Sequence, residues 1–116
     1  MNLILHITQR QQWDEAKLTS AYRGDTLDTE GFIHCSTPLQ VISVANRFFP
    51  NRKGLVLLCI DCDRVQAKIK YEGLETEELF PHIYGALNTD AVYKVLEFEP
   101  SADGKFELPK ELADFI

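Results

Sequence analysis

Stretches in which apolar and polar residues alternate are the clearest pattern along this chain. In residues 3–8, Leu3, Leu5 and Ile7 fall on one side of a strand, and His6 and Thr8 fall on the other. Residues 55–60 are continuously apolar, which is typical of a strand that is buried on both faces. The same reasoning predicts further strands at residues 32–35, 67–72, 80–85, 92–98 and 105–108.

A helix is predicted where apolar side chains recur every three or four residues, as they do at residues 9–18. Trp13 and Ala16 fall on one face of this helix, and Thr8 is placed to cap its first turn. We expect Trp13 to pack into the core rather than to stack on a ligand. Residues 19–30 are polar and turn-like, so they predict a loop.

A second helix is predicted at residues 38–49, directly after the strand that carries His34. Thr37 would cap it, Pro38 would take the first helical position, and Gln40 would close a capping box. A last short helix is predicted at residues 109–116. Strands mixed irregularly with two main helices indicate a single α+β domain over residues 1–116, with a mostly antiparallel sheet.

Composition narrows the possible partners. The formal net charge of −6 argues against broad binding to nucleic acid or to anionic lipid, although a small local nucleotide site is compatible with it. We expect a cytoplasmic protein, because no apolar run approaches the roughly 20 residues needed to cross a bilayer and no signal peptide is visible.

The odd number of cysteines, three, argues against a disulfide framework. Cys59 and Cys62 would point to opposite strand faces, which disfavours a redox or zinc role for that pair.

All three histidines are followed two residues later by a hydroxyl side chain on a predicted strand. The pairs are His6 with Thr8, His34 with Ser36, and His82 with Tyr84. Each pair places an imidazole and a hydroxyl on one sheet face, where they suit hydrogen bonding to ribose, amide or phosphate groups and acid–base chemistry near neutral pH. The strand-to-helix junction after His34 also exposes backbone N–H groups to a polar or anionic ligand.

Other candidate sites remain open at this point. Arg23, in the loop before His34, could hold a phosphate or carboxylate, or simply face solvent. Three converging histidines could bind zinc, although no local pair of histidines has ligand spacing. We expect the acidic patch of Glu72, Glu75, Glu77 and Glu78 to be a solvated loop or a short helical turn rather than a metal site. Cys35 is a poor candidate nucleophile, because neighbouring His34 points to the other side of the strand.

Several blocks together resemble the bacterial family known as domain of unknown function 952. The resemblance spans nearly the whole chain and is most distinctive at residues 31–36 and 80–85. The motifs that carry it are His6-Ile7-Thr8, Trp13, Ala16, Tyr22, Glu30-Gly31-Phe32-Ile33-His34-Cys35-Ser36 with Gln40, Ile60-Asp61, Tyr71-Glu72 and Phe80-Pro81-His82-Ile83-Tyr84-Gly85.

This family is in turn similar in fold to the ADP-ribosyltransferase superfamily, whose members bind NAD between two small antiparallel sheets. By this resemblance, His6, with Thr8 beside it, corresponds to the superfamily's histidine on the first core strand. His34, with Ser36 beside it, corresponds to the superfamily's second site position, on the next core strand. The third position departs from the pattern, because residues 80–84 offer His82 and Tyr84 and no clear glutamate. Transfer to a protein side chain is therefore in doubt.

The histidine and hydroxyl pairs predict a polar cleft, and the resemblance implies that this cleft binds NAD or a related nucleotide and acts on its ribose. We expect His34 and His82 as catalytic residues, and no metal. The expected ligand-binding residues are His6, Thr8, Arg23, Ser36 and Tyr84. The alternatives are a noncatalytic module that recognises a metabolite or a protein partner, and a metal-dependent hydrolase that uses the three histidines.

Overall fold

The computed structural model describes residues 2–73 and 78–115 and shows an α+β protein with antiparallel sheets. Glu75 and Glu77, part of the acidic patch, lie outside the described residues. In chain order the elements are β1 (Leu3–Gln9), α1 (Arg10–Thr19), β2 (Ala21–Tyr22), α2 (Leu27–Glu30), β3 (Ile33–His34), α3 (Val41–Phe48), β4 (Leu55–Asp61), β5 (Lys68–Glu72), β6 (Phe80–Tyr84), β7 (Leu87–Asn88) and β8 (Val92–Phe98), with 3-10 turns at Cys62–Arg64, Thr89–Ala91 and Lys110–Phe115.

Two three-stranded antiparallel sheets form the frame. The first has the order β1-β4-β8 and the second β3-β6-β5, while β2 and β7 make a separate two-stranded ladder. The predicted α+β class and the two main helices, α1 and α3, are confirmed. None of the helices in the described part of the chain has the length and apolar character needed to cross a bilayer.

The core lies on both faces of the first sheet, as the apolar run of β4 predicts. Val56 and Leu58 pack on one face with Trp13 of α1 and with the buried side of the second sheet. Leu55 and Leu57 pack on the other face, and the neighbours there come from α3 and from the C-terminal segment, among them Val41, Ala45, Phe106 and Leu112. Because strand side chains alternate between faces, one strand supports both clusters.

Both main helices start later than the sequence predicts. Helix α1 begins at Arg10, and the Thr8 hydroxyl donates instead to the side-chain carbonyl of Gln12, so the expected cap by Thr8 is wrong. Helix α3 begins at Val41 after a turn. The Thr37 N–H donates to Gln40 Oε1 over 3.0 Å, which is one half of the predicted capping box.

Two segments of the chain have a different secondary structure from the predicted one. Residues 19–30 are not a plain loop, since they contain β2 and α2. Residues 105–108 are irregular rather than a strand. There, the side chain of Asn46 takes the place of a partner strand, because its Oδ1 accepts from the Phe106 N–H over 2.7 Å.

Candidate functional site

A cleft of about 770 Å³ lies between β1, the 34–36 segment, α3 and β6. It contains five of the seven residues that the sequence marks as a site: His6, Thr8, His34, Ser36 and His82. The three histidines, which are up to 76 residues apart in sequence, therefore meet at one cleft, whereas the functional interpretations of the sequence require at least two of them to meet.

The backbone between β3 and α3 explains why the histidines meet. His34 pairs with His82 across the β3–β6 ladder. Two residues later the chain switches partner, since Ser36 exchanges two backbone hydrogen bonds with Leu5 of β1, of 2.7 and 2.8 Å. The 33–36 segment thus joins the two three-stranded sheets and brings His34 beside His6.

The turn before β3 is fixed by a glycine. Gly31 has a φ of 90°, in the left-handed region that glycine adopts without strain, and its N–H donates to the Leu27 carbonyl. This bond ends α2 and directs the chain into β3. The Thr26 hydroxyl, which donates to the Phe32 carbonyl over 2.7 Å, holds the same corner.

His6 is bonded at both ring nitrogens. Its Nδ1 lies 2.5 Å from the backbone carbonyl of His34, so Nδ1 carries the hydrogen and donates it. Its Nε2 lies 2.7 Å from the Tyr22 hydroxyl, which is also 2.8 Å from Thr8 Oγ1. Thr8 in turn donates to Gln12, whose amide donates to Asp25 over 2.6 Å.

This hydrogen-bond network has more contacts than its neutral groups have hydrogens to donate. Tyr22 has one hydrogen to share between His6 and Thr8, and the Thr8 hydrogen goes to Gln12. If His6 is neutral, its Nε2 takes the Tyr22 hydrogen and the Tyr22–Thr8 contact has none. Satisfying every contact requires a second hydrogen on His6.

Burial opposes the binding of a second proton to the His6 ring. It lowers the pKa of His6 from 6.5 to about 4, and this effect outweighs the opposing effect of the bond to the His34 carbonyl. Burial also raises the pKa of Tyr22 to about 12. His6 and Tyr22 are therefore both neutral at physiological pH, and both line the cleft.

His34 and His82 lie side by side with Phe32 over them. The ring of Phe32 stacks on His82 with centroids 4.1 Å apart and meets the edge of His34 at 4.7 Å. The two imidazole centroids are 5.4 Å apart. Half of the His34 side chain is exposed, whereas that of His82 is only 13% exposed. Both rings thus face the cleft from a fixed aromatic platform.

Glu72 supplies the carboxylate that the sequence analysis did not find near His82. It is the last residue of β5, within the strand predicted at residues 67–72, and its Oε1 is 3.0 Å from Nδ1 of His82. The Tyr84 hydroxyl donates to the same oxygen. The bonds from Tyr84 and from His82 lower the pKa of Glu72, and the bond to Glu72 raises the pKa of Tyr84. The β5–β6 register that makes this contact is not visible in local sequence spacing.

Two of the residues expected at the site lie away from the cleft. Arg23 forms an exposed ion pair with Asp28 at 2.5 Å. Tyr84 does not line the cleft, and its hydroxyl donates to Glu72. The cationic groups in the cleft wall are instead Arg47 and Arg52, which the sequence analysis did not single out.

Thiol and metal chemistry gain no support from the structure. Burial raises the pKa of the Cys35, Cys59 and Cys62 thiols, which disfavours the reactive thiolate. All three cysteines are free. Within residues 2–73 and 78–115, no group of three or more His, Cys, Asp or Glu side chains could hold a metal ion, so the three-histidine zinc site has no geometric basis.

The chain is similar to a family of unknown function and to a bacterial protein of known structure. The family model described as protein of unknown function, DUF952, matches residues 7–95. The crystal structure of protein CC0527 from Caulobacter crescentus is 32% identical, covers 96% of this chain and 98% of its own, and superposes with a TM-score of 0.86. Its solution structure, also 32% identical, covers 97% of this chain and 98% of its own with a TM-score of 0.83. No curated protein matches the sequence. With most of its length matched by the family model, the chain belongs to the DUF952 family.

Proposed function

We propose that the cleft binds NAD or a related nucleotide, with the phosphates near α3 and a ribose near His34 and His82. The observation that carries this proposal is the pair of arginines in the cleft wall of a protein with a net charge of −6. Neither Arg47 nor Arg52 pairs with a carboxylate in the described part of the chain. Guanidinium groups that lack a carboxylate partner suit phosphate oxygens, which they bind with two parallel hydrogen bonds.

Aromatic rings accompany both arginines. The Arg47 guanidinium carbon lies 5.2 Å from the ring centroid of Phe48, and that of Arg52 lies 5.9 Å from Phe49. Phe48 is 63% exposed although it lines the cleft. An exposed ring beside a cation offers a stacking surface for a nucleobase, and base stacking on an aromatic side chain contributes about 1–3 kcal/mol.

The part of the cleft lined by the histidines suits a sugar. His34 and His82 present imidazoles, and Ser36 lies beside them. His6 and Thr8 support this wall from behind, because their polar atoms are already bonded to Tyr22, Gln12 and the backbone of residue 34. Two three-stranded antiparallel sheets that flank one cleft also support the finer proposal of an ADP-ribosyltransferase-like arrangement.

Calorimetric titration of NAD, ADP-ribose and adenosine tests the proposal. NAD and ADP-ribose should bind, and adenosine, which lacks phosphate, should bind at least 10-fold more weakly. Arg47→Gln and Arg52→Gln should each weaken NAD binding by about 10-fold or more, since a hydrogen bond to a charged group contributes about 1.5–3 kcal/mol. Arg23→Gln, which removes an arginine outside the cleft, should bind as the wild type does. Absence of binding at millimolar NAD, or equal losses in all three variants, would contradict the proposal.

A second measurement separates an enzyme from a noncatalytic module. Cleavage of NAD by water releases nicotinamide, ADP-ribose and a proton in equal amounts. If His34 and His82 act on the ribose, chromatography after incubation with NAD should detect nicotinamide with the wild type and not with His82→Ala. Binding without nicotinamide release would assign the cleft to recognition alone.

A further inference from the structure

Glu72 contacts a histidine of the cleft from the neighbouring strand. In the β5–β6 register Glu72 lies opposite Phe80, and Lys70 lies opposite His82. The Glu72 carboxylate therefore reaches diagonally along the sheet to Nδ1 of His82, over 3.0 Å. The Tyr84 hydroxyl donates to the same carboxylate oxygen, Oε1, so two donors from β6 hold the carboxylate in place.

The hydrogen-bonding capacity of these groups determines where the His82 hydrogen sits. An ionised carboxylate only accepts, so the ring must donate from Nδ1. In the neutral imidazole Nε2 is then an acceptor. Nε2 makes no hydrogen bond with any residue in 2–73 or 78–115, and no buried side-chain nitrogen there lacks a partner, so Nε2 is accessible. Phe32, stacked at an interplanar angle of 16°, prevents the ring from turning away.

We propose that Glu72 is a positioning residue, which fixes His82 in the Nδ1–H tautomer and leaves Nε2 as the acceptor for a hydroxyl group of the ligand in the cleft. The inference deepens the proposed function and relies on it only for the nature of that ligand, whose hydroxyls are those of ribose. His82 is the group that contacts the ligand, and Glu72 acts through it.

The neighbouring histidine provides an internal comparison. His34 also has a carboxylate beside it, Glu30, but through Nε2 and at 3.4 Å, with about half of each side chain exposed. An exposed pair at this distance contributes little and does not fix a ring. Glu30→Ala is therefore a matched control for Glu72→Ala, because each variant removes one glutamate beside one cleft histidine.

Nitrogen-15 NMR of the imidazole groups in the ligand-free protein at pH 8 tests the assignment. In the wild type, Nδ1 of His82 should resonate as a protonated nitrogen and Nε2 as an unprotonated one. In Glu72→Ala the pattern should reverse, since an unconstrained neutral imidazole favours Nε2–H. Glu30→Ala should keep the wild-type pattern at His82. Tyr84→Phe should also keep it, because Glu72 can still accept from Nδ1.

An Nε2–H tautomer in the wild type, or an unchanged Nδ1–H tautomer in Glu72→Ala, would overturn the inference. Amide spectra of each variant verify that it is folded. The result is independent of NAD binding: if NAD does not bind, the proposed function fails while the tautomer still decides the role of Glu72. If NAD does bind, Glu72→Ala should weaken it by about 10-fold, and Glu30→Ala should weaken it by less than 2-fold.

Discussion

His6 uses both ring nitrogens to connect the first sheet, Tyr22 and the backbone of His34. Because burial lowers its pKa from 6.5 to about 4, the folded protein holds His6 neutral over a range in which the unfolded chain binds a proton. The stability that neutral His6 contributes is therefore fully present above about pH 6.5 and is lost as the pH falls towards 4. The loss amounts to about 3.5 kcal/mol at most, since one pKa unit corresponds to about 1.4 kcal/mol.

Urea unfolding between pH 4 and pH 7.5 measures this dependence. The free energy of unfolding of the wild type should rise with pH across the window more steeply than that of His6→Gln. The slopes should differ by about 1.4 kcal/mol per pH unit near pH 5, because the carboxylates that also titrate there are common to both proteins. Parallel curves would show that His6 titrates alike in the folded and unfolded states.

At the scale of single residues, the sequence predicts which histidine lies beside which hydroxyl on a strand. It does not predict the residues on other elements that these side chains contact. A spacing of two residues is enough to place His6 beside Thr8 and His34 beside Ser36 on one strand face. The contact between Glu72 and His82 depends instead on the register of two strands joined by a long connection, which no local pattern encodes. Arg47 and Arg52 similarly become cleft residues only when α3 packs against the first sheet.

At the scale of elements, apolar periodicity predicts the long strands and helices, whose patterns extend over five or more residues. The strands β4, β5, β6 and β8 and the helices α1 and α3 all lie where apolar spacing places them. The two-residue strands β2 and β7 could not be predicted, since they exist only through pairing with each other. The irregular segment at 105–108 alternates like a strand but finds a side chain, that of Asn46, where a strand would need a backbone partner.

Asn46 thus joins α3 to the C-terminal segment by bonding both backbone groups of Phe106. In Asn46→Ala the Phe106 N–H loses its acceptor, and an unsatisfied buried donor costs about 1–3 kcal/mol. We expect urea unfolding to show a loss in this range, with faster hydrogen exchange at the Phe106 amide. Gln11→Ala, which removes an exposed amide on α1, should change the free energy of unfolding by less than about 0.5 kcal/mol. Equal effects of the two substitutions would contradict this role of Asn46.

At the scale of the whole molecule, both core clusters depend on the first sheet, and the cleft lies where that sheet meets the second one. One cluster is completed by α1 and the second sheet, and the other by α3 and the C-terminal turn. The residues His34 and His82, called here the histidine wall of the cleft, lie on strands of the second sheet, which packs in the first cluster. The residues Arg47 and Arg52, called the arginine wall, lie in and just after α3, which packs in the other cluster. Loosening the C-terminal turn should therefore affect the arginine wall and leave the histidine wall in place.

Leu112→Ala tests this division of the molecule. Leu112 is 1% exposed in the cluster that contains α3, and truncating a buried leucine costs about 2–4 kcal/mol through lost burial and the cavity left behind. Urea unfolding should show that loss, whereas Leu18→Ala, at a site that is 86% exposed, should stay within about 0.5 kcal/mol of the wild type. Amide chemical shifts of Leu112→Ala should change around Arg47 and Arg52 and remain constant around His34 and His82. Shifts of equal size at both walls would show that the two clusters respond as one.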